Sequence, residues 1–77
     1  MNDVRRKALR KIIDTLEGIQ CELDELRTDE CDCRDNIPEN MQNSERYDRI
    51  NEAADALDYA CDNIEELIDN INGAIEA

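Results

Sequence analysis

The second half of the chain carries apolar side chains at alternating steps of three and four residues, and this unbroken repeat restricts the fold more than any other feature. Its members are Tyr47, Ile50, Ala54, Leu57, Cys61, Ile64, Ile68, Ile71 and Ile75. A strand would alternate every second residue, whereas an average step of about 3.5 residues is typical of helices that pack as a left-handed coiled coil. The repeat therefore predicts a helix over about 45–75 with one side against another helix.

The first half shows the same repeat with one interruption. The apolar positions are Leu9, Ile12, Leu16, Ile19, Leu23 and Leu26, after which Glu30 breaks the pattern and Cys33 resumes it. This predicts a first helix over about 3–33. The intervening segment, about 34–44, holds the only proline and is predicted to be the turn. We expect one domain, 1–77, with an all-α fold: an antiparallel two-helix coiled-coil hairpin.

Polar residues around the turn indicate where the helices end and begin. Asn36 and Glu39 have the spacing of a capping pair, which predicts a short helical turn through Pro38. Ser44 is placed to cap the amino end of the second helix.

Charge is distributed unevenly between the two halves. Five basic residues fall within positions 1–11, whereas positions 52–77 contain eight acids and no base. Basic residues are unfavourable at the amino end of a helix and acidic residues at the carboxyl end, because of the helix dipole. An antiparallel hairpin with Leu9 level with Ile71 brings the two groups together, which predicts ion pairs of Arg5, Arg6 and Arg10 with Glu65, Glu66, Asp69 and Glu76. The same complementarity would serve two extended chains paired in trans, which is the alternative.

Composition excludes several functional classes. The net charge of −12 disfavours direct binding to nucleic acid or to an anionic membrane surface. No apolar run resembles a membrane span or a secretory signal, so we expect a cytoplasmic protein. There is no histidine and no glycine-rich phosphate loop, and a hairpin offers little concave surface. We therefore expect no catalysis and no cofactor.

The four cysteines give only a weak indication of a metal site. Cys61 belongs to the apolar repeat, and Cys21 is predicted to point outward. Cys31 and Cys33 are weak metal-ligand candidates, because a C-x-C pair on a helix diverges and structural zinc sites use wider spacings. No metal is expected, and a cysteine-based metal or redox sensor remains a remote alternative.

A second apolar stripe lies beside the repeat and indicates self-association. Its members in the second helix are Ala53, Ala60, Leu67 and Ala74, and Ile13 extends it on the first helix. Because a single two-helix seam is marginal for a chain of this size, we expect a homodimer that forms a four-helix bundle. The alternative is a monomer in which the alanines only favour helix formation.

The outward side of the second helix forms an acidic face. Its members are Asp48, Asp55, Asp58, Tyr59, Asp62, Glu65, Glu66 and Asp69. Such a face docks basic protein surfaces by electrostatic complementarity, with Tyr59 as a candidate anchor. The alternative is a solvated face that keeps a small bundle soluble.

Three segments resemble a group of small acidic helical-hairpin proteins from bacteria and prophages. They are Arg5-Arg6-Lys7 ahead of the first repeat, the turn Asp35-Asn36-Ile37-Pro38-Glu39-Asn40, and Ser44-Glu45-Arg46-Tyr47. The resemblance implies a helical hairpin of phage or mobile-element origin and brings no catalytic residue or cofactor. With it, we expect a non-enzymatic inhibitor or adaptor that docks on a basic surface of a host defence or nucleic-acid-binding protein. The alternative is a structural protein that assembles by self-association.

Overall fold

Two long helices joined by a short turn make up the protein in a computed structural model that describes all 77 residues. Helix α1 spans Asp3–Asp35, a 3₁₀ turn spans Glu39–Met41, and helix α2 spans Glu45–Glu76. The helices pack against each other and there is no strand. The predicted all-α hairpin is confirmed, and α1 extends through Asp35 rather than ending near position 33.

Side-chain caps start both helices. The Asn2 side chain accepts a hydrogen bond from the Arg5 amide at 2.9 Å. At α2, the Ser44 hydroxyl accepts from the Tyr47 amide at 3.2 Å, as the sequence predicts. Each cap satisfies one of the amide groups that lack a partner in the first helical turn.

The predicted capping pair of Asn36 and Glu39 is wrong. Asn36 instead ends α1, and its amide donates to the carbonyl oxygen of Asp32 at 3.0 Å. Pro38 precedes the 3₁₀ turn, which has no side-chain cap. The residue before a proline disfavours the helical conformation, so α1 stops before Ile37.

The seam on α2 follows its predicted positions throughout. All nine members of the repeat are buried or half-buried, and Ala54, Ile68 and Ile75 are the three fully buried residues of this helix. The unbroken apolar pattern therefore fixes which side of α2 faces α1.

The seam on α1 differs from the predicted one at every second position. The residues turned toward α2 are Arg6, Leu9, Ile13, Leu16, Gln20, Leu23, Arg27, Glu30 and Arg34, all buried or half-buried. Ile12, Ile19 and Leu26, which the repeat assigned to the seam, are 48%, 46% and 60% exposed. Relative to the prediction, α1 is rotated by about 50°, half the angle between consecutive residues. This rotation buries Ile13 and lays the aliphatic stems of the arginines along the seam while their charged ends reach out.

The buried core lies at the open end of the hairpin, away from the turn. Ile13, Ile68 and Ile75 form it, and Leu9, Leu16 and Ile71 pack against it. Only four of the 77 residues are buried, the fourth being Ala54. The hairpin by itself therefore leaves most of its apolar side chains partly in water.

The shape of the hairpin explains this low burial. The molecule measures 59 × 17 × 13 Å and has a radius of gyration of 17.4 Å, against about 11–12 Å for a compact chain of this length. Its accessible surface is 5831 Å², against about 4,800 Å² for a compact monomer of the same mass. The hairpin thus exposes about 1,000 Å² more surface than a globular chain of its size.

Candidate interaction surfaces

One side of the hairpin carries polar contacts between the helices. With the seam positions of each helix written a and d, position e follows each d and position g precedes each a. Arg27, at position a of α1, donates a hydrogen bond to Asp24, and its guanidinium lies 3.6 Å from the Asp58 carboxylate of α2. Asp24 and Asp58 both occupy position e. The e positions of the two helices therefore share one side, the polar flank.

A second arginine marks the same side nearer the turn. The Nη1 atom of Arg34 donates to the Asn51 side-chain oxygen at 3.4 Å, and Asn51 is again at position e. A hydrogen bond to the Asp35 carboxylate raises the pKa of Arg34 above its ordinary value. The Asp35 carboxylate therefore stabilises the charged form of the guanidinium.

The opposite side of the hairpin is apolar. Because the e positions share one side in this antiparallel pair, the g positions share the other, which we call the apolar flank. Its apolar members are Ile12, Ile19 and Leu26 of α1 and Ala53, Ala60, Leu67 and Ala74 of α2. The remaining g positions are Arg5, Cys33 and Arg46, which lie toward the two ends of the hairpin. Leu67 is 46% exposed and Ala53 is exposed, whereas Ala60 and Ala74 are half-buried.

The apolar flank includes three residues beyond its predicted members. Ile12, Ile19 and Leu26 recur every seven residues beside the seam, a spacing that already indicates one continuous stripe on the helix. Ile13, a predicted member of the oligomer interface, is only 7% exposed and belongs to the core of the hairpin. It has little surface left to offer a second chain.

At the open end of the hairpin, Arg6 joins α1 to the last turn of α2. Its Nε atom donates to the carbonyl oxygen of Ile75 at 3.0 Å, and Nη2 donates to that of Ala77 at 3.2 Å. The carbonyl groups of a helix carboxyl end lack helical partners and carry partial negative charge, so a guanidinium is favourable there.

The ion pairs predicted at this end are not formed. No carboxylate of α2 pairs with Arg5, Arg6 or Arg10. The acids in question are Glu65, Glu66, Asp69 and Glu76, at positions b, e and f of α2. These positions lie outside the seam, and the carbonyl groups at the end of α2 lie closer to Arg6.

The acidic face, Asp48 to Asp69, is exposed over about six helical turns. All its members are exposed except Asp58, which is half-buried, and Tyr59 is 71% exposed. Asp58 is its only carboxylate with an ion-pair partner, Arg27. Asp55, Asp58, Tyr59 and Asp62 surround one shallow depression at its centre. The face therefore offers carboxylates that have not been neutralised within the chain.

Acidic residues of α2 avoid the apolar flank. Every Asp and Glu of this helix occupies position b, e or f. Position c, which borders the apolar flank on the solvent side, holds Arg49, Ala56, Asn63, Asn70 and Ala77. The acids of α2 are thus confined to one side, whereas the c and g positions on the other side hold small neutral side chains apart from Arg46, Arg49 and Leu67.

The four cysteines are free thiols. Cys21 and Cys33 are exposed, and Cys31 and Cys61 are half-buried. No three cysteine, aspartate or glutamate side chains are grouped so that they could hold one metal ion. The metal candidates Cys31 and Cys33 sit on the last turns of α1, at positions e and g, on opposite sides of the seam.

Neither helix is long and apolar enough to span a bilayer. Comparison with protein-family models, with curated proteins and with solved structures finds no match to this chain.

Proposed function

We propose that this protein is a non-enzymatic interaction module that works as a homodimer, a four-helix bundle built from two hairpins through their apolar flanks. The observation that carries the proposal is the surface that the single hairpin leaves exposed. Its excess of about 1,000 Å² over a compact monomer is close to the ~800 Å² that each partner buries in a standard protein interface. A second hairpin packed on the apolar flank would therefore bury about as much surface as the single hairpin exposes in excess of a compact monomer.

The apolar flank supplies a reasonable driving force for this association. Ile12, Ile19, Leu26 and Leu67 are each about half exposed, so burying the remainder of each contributes about 1 kcal/mol. Two copies bring eight such side chains, or about 8 kcal/mol, which is comparable to the 4–15 kcal/mol cost of association. Removal of a single member of the flank should therefore shift the monomer–dimer equilibrium measurably.

The test is the mass in solution of variants that place a carboxylate on the flank. Leu26→Asp and Leu67→Asp should each convert a species of twice 8.9 kDa into one of 8.9 kDa, measured by sedimentation equilibrium. The matched control is Val4→Asp, because Val4 is 78% exposed at an outward position of α1. Wild-type protein that sediments as a single chain at high micromolar concentration would refute the proposal.

A second candidate function, docking on a basic protein, is favoured by the acidic face. Six of its seven carboxylates have no cation partner, and several lie three or four residues apart, where like charges destabilise a helix by ~0.2–0.5 kcal/mol per pair. A partner with a basic surface would relieve this repulsion. In keeping with the resemblance to prophage hairpins, this candidate is a phage- or mobile-element-encoded inhibitor or adaptor of a host defence or nucleic-acid-binding protein.

This candidate is tested by charge reversal with a matched control. Asp55→Lys, Asp62→Lys and Asp69→Lys together should abolish capture of a basic host protein that binds the wild type at ~100 mM salt and dissociates at ~500 mM. The control reverses three exposed acids of α1, Asp14, Glu25 and Asp32. Equal capture by both triple variants would contradict docking through the acidic face, provided that circular dichroism shows both to be helical.

A further inference from the structure

The two halves of the apolar flank differ in side-chain size. The α1 half presents a ridge of three large side chains, Ile12, Ile19 and Leu26, at seven-residue spacing. From position 53 onward the α2 half is a trough of small side chains, with Ala53, Ala60 and Ala74 at the g positions and Leu67 as its single large member, whereas Arg46 occupies the g position nearest the turn. A ridge beside a trough is a self-complementary shape, because a second copy offers a trough for the ridge and a ridge for the trough.

Symmetry limits how two such flanks pack face to face. A closed dimer uses the same patch on both chains, related by a two-fold axis. With the axis perpendicular to the helices, α1 lies on the partner's α1 and α2 on the partner's α2. The large side chains of the two α1 helices then meet each other, whereas the alanines of the two α2 helices face each other across a gap. With the axis parallel to the helices, α1 lies on the partner's α2, and each ridge enters a trough. Close packing of large against small side chains favours the parallel axis.

Charge favours the same arrangement. Repulsion opposes the association of two chains of net charge −12, and it is smallest where the contact surfaces lack acids. The α2 half of the interface is free of them, since positions c and g of α2 hold no Asp or Glu. The parallel axis also sets Arg5, exposed and at the g position nearest the open end, beside the last turn of the partner's α2, where a cation is favourable.

From the ridge, the trough and the absence of acids beside the trough, we infer that the partner of the apolar flank is a second copy of this chain. In the dimer, α1 of each hairpin lies in the alanine trough of the partner's α2. Both turns lie at the same end of the bundle. This inference rests on the proposed self-association. It assigns every neighbouring helix pair in the bundle an antiparallel orientation and places the acidic faces of the two chains on the outside.

The test is a distance measurement between two copies of the full chain. A spin label is introduced at Asn40, which is exposed in the turn, through a genetically encoded keto amino acid, so that the four cysteines stay unchanged. A control label at Glu17, exposed near the middle of α1, reports association in either arrangement. Pulsed dipolar spectroscopy then gives the label-to-label distances.

With both turns at one end, helices packed about 10 Å apart hold the two Asn40 labels within about 30 Å of each other. With the turns at opposite ends, the labels lie near the 59 Å length of the hairpin. The short Asn40 distance is the expected result. A long Asn40 distance together with coupling at Glu17 would overturn the arrangement and leave self-association standing, whereas absence of coupling at both sites and a mass of 8.9 kDa would refute both.

Discussion

The two hydrogen bonds from Arg6 to the end of α2 are the only side-chain bonds that tie the two ends of the chain together, and their contribution can be measured. Replacement by methionine, Arg6→Met, keeps the aliphatic stem in the seam and removes the donors to the carbonyl oxygens of Ile75 and Ala77. A hydrogen bond from a charged group contributes about 1.5–3 kcal/mol when it is buried. The Arg6 side chain is 27% exposed and its bond to Ala77 is at the surface. We therefore expect the substitution to lower the free energy of unfolding by about 1–2 kcal/mol in total.

Thermal unfolding followed by far-ultraviolet circular dichroism checks this value. For a chain of this size, each kcal/mol shifts Tm by about 4–8 °C, so Arg6→Met should lower Tm by about 5–15 °C at a fixed protein concentration. The matched control is Arg10→Met, because Arg10 is exposed and makes no side-chain hydrogen bond or ion pair. Arg6→Lys should fall between the two, since one ammonium group keeps the charge but does not span both carbonyl groups. Equal Tm values for Arg6→Met and Arg10→Met would refute the reasoning.

Three further substitutions test other parts of the hairpin by urea denaturation. Ser44→Ala removes the cap of α2 and should cost about 1 kcal/mol; an unchanged midpoint would show that the cap is redundant. Gly73→Ala should stabilise the protein by about 0.5–1 kcal/mol, because an added Cβ meets no atom within 4 Å, and a loss of stability would contradict this. Ile68→Ala should cost about 2–5 kcal/mol through loss of a core side chain, whereas a change below about 1 kcal/mol would place the core elsewhere.

The sequence predicts α2 better than α1 for a physical reason. On α2 the nine-member apolar repeat has an acid at every b position, so only one side of the helix is suited to packing. On α1 the adjacent positions Ile12 and Ile13 are both apolar, and Leu9, Leu16 and Leu23 belong to either of two seams about 50° apart. The hydrophobic pattern favours the seam through Ile12, whereas the structure selects the one through Ile13.

The choice between the two seams depends on charged side chains, which a hydrophobic pattern excludes from a seam. Arg6, Arg27 and Arg34 occupy seam positions because their partners lie on α2: carbonyl oxygens, Asp58 and Asn51. These partners can be identified only when the register of the two helices is known. The consequence for the candidate interface is direct, since the same rotation that buries Ile13 exposes the ridge on α1.

The position of the core has a consequence for the order in which the hairpin opens. Ile13 and Ile68 lie about 55 positions apart, so bringing them together costs about 1.5 kcal/mol more loop entropy than closing a ten-residue turn. Helical hairpins joined by a tight turn often fray at their free ends, but here the free ends carry the core and the Arg6 bonds. Amide protons around positions 9–16 and 68–75 should therefore exchange most slowly, and those flanking the turn should exchange earlier. The turn therefore contributes mainly by connecting the helices, which raises the effective concentration of one helix near the other. The contacts that open last are those at the opposite end of the hairpin.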